Sequence, residues 1–345
     1  MQKSRLYYSM MNSSISTIVF FLKLVMQFVV RTYFIRVLGV TYLGINGLFS
    51  NVLSLLSLAE LGVGTSIVYS MYKPIANNDQ NEIQALMVLY KKAYHYIGLA
   101  VAIIGLALIP FLHFFSADLS SKEGFVWYYI LFLGNSVLSY FFTYKRSLLI
   151  ANQRSYLVNI NDFIFLFISN IFQIYLLLHY GSFTLYLLVQ LVFTLFGNFA
   201  ISYKVDKDYK FLKKAEPKKL GKEKIKEIKK NVVGNMSSKI GGVIVMGTDS
   251  ILISSFVGLA AVGYYSNYTM IINNVQNLCK QVTNSITASI GNYIVTADKK
   301  QALELFKRHL FVNYTMIYFA TLILVSVLNP FIDWWIGCLL YTSPS

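Results

Sequence analysis

The sequence predicts an all-α integral membrane protein of about nine transmembrane helices, built as two parallel-repeat lobes around a central polar cavity. Three observations lead there: a chain too apolar for water, apolar stretches of spanning length in series, and a motif that returns in the second half. Of 345 residues, 56% are hydrophobic and 13% charged, at a mean hydropathy of +0.55. Soluble domains carry about 25% charged residues. Cys279 and Cys338 are isolated in the sequence, which gives neither a disulfide framework nor a zinc site.

A transmembrane helix needs roughly 20 mostly apolar residues. Nine stretches qualify: 12–35, 43–71, 92–115, 124–144, 157–179, 183–203, 232–256, 265–296 and 310–336. The first is too long for a signal-peptide core and lacks a small-residue cleavage site, so it is expected to remain as a span. Cytoplasmic loops carry the excess of Lys and Arg. With the N-terminus inside, 24 of the 30 basic residues fall in cytoplasmic segments, while only Arg36 and Lys122 fall in outside connections. The sequence therefore predicts a cytoplasmic N-terminus, with residues 116–124 outside.

Half of that excess lies in residues 204–231, which hold twelve lysines. A run of this kind beside a span is expected to contact anionic inner-leaflet lipid rather than nucleic acid. Leu220, Ile225, Ile228 and Val232 fall near helical spacing among the lysines, which predicts an amphipathic helix lying on the membrane surface. The run separates an N-terminal lobe, residues 1–203 with spans one to six, from a C-terminal lobe, residues 232–345 with spans seven to nine.

Across that linker the chain repeats itself. RVLGVTYLGINGLFSN (36–51) is answered by SFVGLAAVGYYSNYTM (255–270), and Gly39 and Gly44 match Gly258 and Gly263 at an offset of 219 residues. Each pair occupies the short outside connection after the first helix of its half. An even number of spans separates the copies, so both run the same way across the membrane, as a parallel repeat does.

Polar side chains recur on single faces of five spans. The first carries Ser13, Ser16, Lys23, Gln27 and Arg31; the second Asn46, Ser50, Ser57, Glu60 and Gly64; the fifth Asn159, Asp162, Ser169 and Gln173. The seventh carries Asn235, Lys239, Gly242 and Asp249, and the eighth Asn274, Asn277, Gln281 and Asn284 beside Lys280. Ionisable groups in a membrane interior are costly and tend to face a cavity or one another. The stripes therefore predict a water-filled vestibule, with Lys23, Glu60 and Asp249 deepest and Lys23 paired to Glu60. Arg31 and Arg36 lie near outer ends, where snorkelling is the competing reading. Lys239 and Asp162 lie near inner ends and read as interfacial.

Other patterns carry less. Asp206-Lys207-Asp208 spells the D-x-D of sugar-nucleotide enzymes but sits in the lysine run without a catalytic domain. The glycines of 241–247 lack the Gly-Lys-Ser/Thr of a phosphate-binding loop and fit close helix packing. His95, His113, His179 and His309 are too scattered for metal ligation. No nucleotide-hydrolysis motif is present, so transport would draw on an ion gradient or the substrate's own.

LGVTYLGINGLFSNVLSLLSLAELGVGTSIVYSMYK (38–73) and TDSILISSFVGLAAVGYYSNYTMI (248–271) resemble polysaccharide flippases of the multidrug/oligosaccharidyl-lipid/polysaccharide exporter superfamily, on the branch that exports O-antigen and capsule repeat units. The resemblance implies a multi-pass protein of the bacterial inner membrane that flips undecaprenyl-pyrophosphate-linked oligosaccharide, is not an enzyme, and needs no cofactor. It also implies at least twelve spans, so the chain reads as a truncated copy with three helices fewer in its second lobe and a non-native tail of about eight residues. Added to the stripes, it makes Lys23, Gln27, Arg31, Asn277 and Lys280 the expected cavity residues for substrate, and Glu60 or Asp249 the expected ion-coupling residue. The linker is a candidate docking surface for other polysaccharide-assembly proteins. A drug/cation antiporter of the same superfamily would want a net acidic cavity, and a glycan polymerase or ligase would want a large outside loop.

Overall fold

Gly39 interrupts the first long helical run at φ 83° and ψ 176°, a backbone region open almost only to glycine. Its repeat partner Gly258 is also at positive φ, 118°, at the turn between two later helices. Both glycines of the repeat thus sit at positive φ where the chain breaks from helix. They are seen in a computed structural model that describes residues 5–60, 62–115, 124–213, 220–296 and 299–337. Most of the connection expected at 116–124 lies outside these residues, as does the tail 338–345. The side chains of Lys239, Gly242 and Asn284 are likewise not described.

The described chain is all-α, a multi-pass membrane protein in its helix lengths and composition. Helix α1 spans Arg5–Leu56 with the Gly39 break inside it, and α2 spans Val63–Ala76. Helix α3 (Gln80–Ala107) is capped by the Asp79 carboxylate, which accepts from the Glu82 N–H at 3.0 Å. It ends in a 3-10 turn, Ile109–Phe111, where Pro110 has no N–H to continue the ladder. Helices α4 (Phe125–Ala151), α5 (Ser155–Tyr180) and α6 (Phe183–Asp208) follow through short connections, with α6 packed on both α4 and α5. Gly181 closes α5 in the left-handed region, and Ser182 caps α6. Then come α7 (Lys222–Phe256), α8 (Leu259–Thr296) and α9 (Lys299–Ile332).

Three boundaries differ from the hydropathy reading. The second span is not one helix: it breaks at a 3-10 turn, Ser57–Glu60, and at Gly62, whose φ is 82°. The fourth runs on to Ala151, seven residues past its apolar stretch, so Lys145 and Arg146 are intrahelical rather than in a loop. The lysine segment after Gly221 is not a separate surface helix. It runs straight into the seventh span as α7, with Ile228 only 5% exposed.

The chain divides into two compact units, residues 1–262 and 263–345. The boundary falls later than the 204–231 linker because α7 packs along α1 and α2. That seam runs antiparallel to α7, whose lysine end also reaches α3. Asn51 donates to the Ser250 hydroxyl, Asn235 donates to Ser66 at 2.9 Å, and Lys224 pairs with Glu82 at 3.8 Å. Two glycines let the backbones meet: a Cβ on Gly44 would overlap the Leu259 carbonyl, and one on Gly62 would stand 2.6 Å from the Val232 carbonyl oxygen. Within this unit α4 also packs on α3 and α6, and α5 on α1 and α6. Its core is rich in aromatic rings, with Phe49 edge-on to Tyr129 and Tyr42 against Phe183 at centroid separations of 5.3 Å.

The second unit holds the rest of α8, α9 and a π-helical turn, Asp333–Gly337. Helix α9 exposes large apolar side chains on its flanks, including Phe311, Tyr314 and Val325, as a lipid-facing helix does.

Candidate functional site

Glu60 occupies the last position of the 3-10 turn that breaks the second span. Broken helices in membrane transporters expose backbone and side chains where ions and substrates bind. The Glu60 carboxylate accepts a hydrogen bond from the Tyr94 hydroxyl of α3, and Tyr140 of α4 faces the same carboxylate. Tyr90 packs edge-on against Tyr94 at 4.8 Å and shares a 2.9 Å hydrogen bond with Ser147. Tyr90 and Tyr94 are each 1% exposed. Gly64 makes the space, because a Cβ there would stand 2.6 Å from the Tyr94 hydroxyl and 3.0 Å from that of Tyr90. One carboxylate is thus set among phenol oxygens, a group that can hold a proton or a small cation.

The expected Lys23–Glu60 pair does not form. Tyrosine hydroxyls take the carboxylate, and among the described residues Lys23 belongs to no ion pair. Lys23 is half-buried on α1, Gln27 is exposed, and Arg31 lies against Tyr186 of α6. The three keep one helix but not one environment. Several striped residues are helix-to-helix contacts: Asn159 donates to Ser16 at 2.7 Å, and Gln173 donates to the Tyr186 carbonyl at 3.1 Å. Asp249 is half-buried on α7, next to Ser250, which the Asn51 amide reaches.

In the second unit Lys280 lines a groove of about 370 Å³ between α8 and α9 with Gln276, Thr283 and Asn313. Lys280 donates to Gln276 at 3.1 Å, and Thr283 donates to Asn313 at 2.7 Å. Asn277 is exposed and does not line the groove, because one residue along a helix turns the side chain about 100° away.

The first unit holds a second polar site that the sequence reading passed over. A crevice of about 450 Å³ lies between α4, α5 and α6, lined by Ser139, Thr143 and Arg146, by Asp162 and Ser169, and by Gln190, Thr194 and Asn198. Arg146 grips both oxygens of Asp162 at 2.6 and 2.8 Å and donates to the Asn198 Oδ1 at 2.8 Å. Asp162, read from the sequence as interfacial, is thus half of an ion pair between α4 and α5. Hydropathy placed Arg146 outside a span, and Asn198 carries no charge to draw notice. The nearby D-x-D is structural: Lys145 pairs with Asp206 at 2.8 Å, and Arg154 and Lys204 pair with Asp208 at 2.8 and 3.0 Å.

Two comparisons bear on this arrangement. A family model described as "polysaccharide biosynthesis protein" matches residues 9–289. A solved structure described as the inward-facing conformation of a multidrug resistance MATE family transporter of the MOP superfamily shares the fold. Its TM-score is 0.63 over 91% of this chain and 71% of its own, at 16% identity. No curated protein sequence matches significantly.

Proposed function

Since the chain belongs to the polysaccharide biosynthesis protein family, we propose that it flips undecaprenyl-pyrophosphate-linked oligosaccharide repeat units across the bacterial inner membrane by alternating access. The family match over residues 9–289 is the observation that carries this reading, and the MATE-like fold supports a transporter rather than an enzyme. The N-terminus is cytoplasmic in this proposal, and the twelve lysines of 204–231 face anionic headgroups.

Lys23 meets the pyrophosphate, since no described carboxylate competes for it, with Gln27 and Arg31 on the same helix and Lys280 and Asn277 on α8 as further candidates. Glu60 exchanges a proton or cation among its tyrosines as the α1–α7 seam opens and closes, and Asp249 beside that seam is the second ion-coupling candidate. Reconstitution in vesicles with a fluorescent lipid-linked oligosaccharide tests the proposal. Time-dependent loss of lectin or quencher access to the sugar, at a rate above protein-free vesicles, is the expected result. Uptake of a cationic dye with no movement of the lipid-linked sugar would replace the flippase by an antiporter.

A further inference from the structure

We propose that the crevice between α4, α5 and α6 is a subsite for an uncharged, hydroxyl-rich glycosyl ring; this rests on the reading of the protein as a carrier of lipid-linked glycans. The Asn198 side chain is 2% exposed, and its Nδ2 has no hydrogen-bond partner. Its orientation is fixed chemically. Arg146 can only donate, so the amide oxygen must face it and the NH2 must face the other way. A buried donor without an acceptor is costly, which leaves a demand for a ligand oxygen.

The rest of the lining asks for the complement. Ser139 donates its proton to the Asn135 carbonyl at 2.8 Å, and Thr143 donates to the Ser139 carbonyl at 2.8 Å. With those protons committed, both hydroxyls offer only lone pairs to the crevice. The site therefore needs one group that accepts and others that donate.

Charge narrows the class. The Arg146 guanidinium is neutralised by the two-oxygen grip on Asp162, so the crevice has no net charge to hold a phosphate. An anion accepts only and would face the Asp162 carboxylate and the Ser139 and Thr143 lone pairs. An ammonium donates only and would leave Asn198 unmet. A hydroxyl does both. Phe165 and Phe193 also line the crevice and present apolar ring surface to the C–H face of a sugar. Its size falls in the range of small-molecule sites.

Saturation-transfer NMR on the purified full chain in detergent tests this with methyl glucoside and N-acetylglucosamine as probes, and with inorganic pyrophosphate as competitor. Saturation of the sugar ring protons that pyrophosphate does not relieve is expected. In Asn198→Leu it should fall by about tenfold, the effect of one buried hydrogen bond. Gln190→Leu, which keeps the Arg146–Asp162–Asn198 cluster, guards against misfolding and should weaken transfer as well; melting temperature and gel-filtration profile verify both variants. Absent saturation, saturation unchanged in both folded variants, or displacement by pyrophosphate would overturn the subsite. Sugar contact without flipping of a lipid-linked glycan in vesicles would uphold the subsite and sink the carrier reading. Flipping with no Asn198-dependent contact would do the reverse.

Discussion

Gly44 and Leu259 meet backbone to backbone, with no room for even a methyl group between the Gly44 Cα and the Leu259 carbonyl. Each belongs to one copy of the sequence repeat, so the seam between the copies is closed at that end in the structure. Gly44→Val should push α1 and α8 apart at a cost on the order of 1–3 kcal/mol. A lower melting temperature in detergent, with unchanged membrane insertion, is the expected reading.

The same seam can be tied shut. Asn51 and Ser250 hydrogen-bond across it, so cysteines placed at both positions face each other over the seam. The double variant should form a crosslink under mild oxidation. Transport should stop while the bond is intact and return on reduction. A crosslinked protein that transports at the unlinked rate would show that the seam does not open.

Tyr94→Phe removes the hydroxyl that holds the Glu60 carboxylate in a buried cluster. Hydrogen bonds to charged groups contribute about 1.5–3 kcal/mol. The variant should lose stability of that order and recover part of it when combined with Glu60→Gln, which no longer asks for charge stabilisation. Simple additivity of the two changes, measured by chemical denaturation in detergent, would mean that the two groups are not coupled.

Asp208 lies past the end of the sixth apolar stretch. Burial works to raise its carboxyl, but Lys204 and Arg154 outweigh it and hold the group below its ordinary value of 3.8. A carboxyl lowered in the folded state adds stability above its unfolded pKa and loses it as pH falls through the folded one. Wild type should therefore melt above Asp208→Asn near neutral pH. The gap should narrow below about pH 4, and a gap that widens on acidification would reverse the assignment.

Lys23→Gln removes the half-buried cation of α1 that takes part in no described ion pair. Flipping of a lipid-linked sugar should fall while insertion and abundance stay at wild-type levels, and Lys23→Arg should keep part of the rate. Normal flipping by Lys23→Gln would reduce the lysine to an interfacial anchor.

Much of this architecture could be read from residue order because membranes impose length and periodicity. The Gly39 and Gly258 turns were visible as a repeated spacing, and both prove to need glycine. The stripes led to Glu60 because acids inside spans are rare. What stayed hidden has physical causes. Tyrosine counts as apolar in composition, so the hydroxyls of Tyr90, Tyr94 and Tyr140 around Glu60 left no trace. Arg146 lay beyond the apolar window of its span, yet its ion pair with Asp162 draws it into the bundle. Asn198 became notable only once Arg146 was seen to claim its oxygen. The lysine run looked like a surface helix because periodicity cannot tell a helix on the membrane from one that enters it.

The continuity of α7 has a mechanical side. Its 35 residues make a rod of about 52 Å at 1.5 Å per residue. One end is studded with lysines and tied to α3 through Lys224 and Glu82, and the other stops at the turn beside Leu259. With no hinge along its described backbone, a tug on the lysine end travels to the Gly44 contact as displacement rather than dissipating in a joint. In the proposed flippase, anionic lipid at the lysine end would then act as a throttle on the far end of the seam.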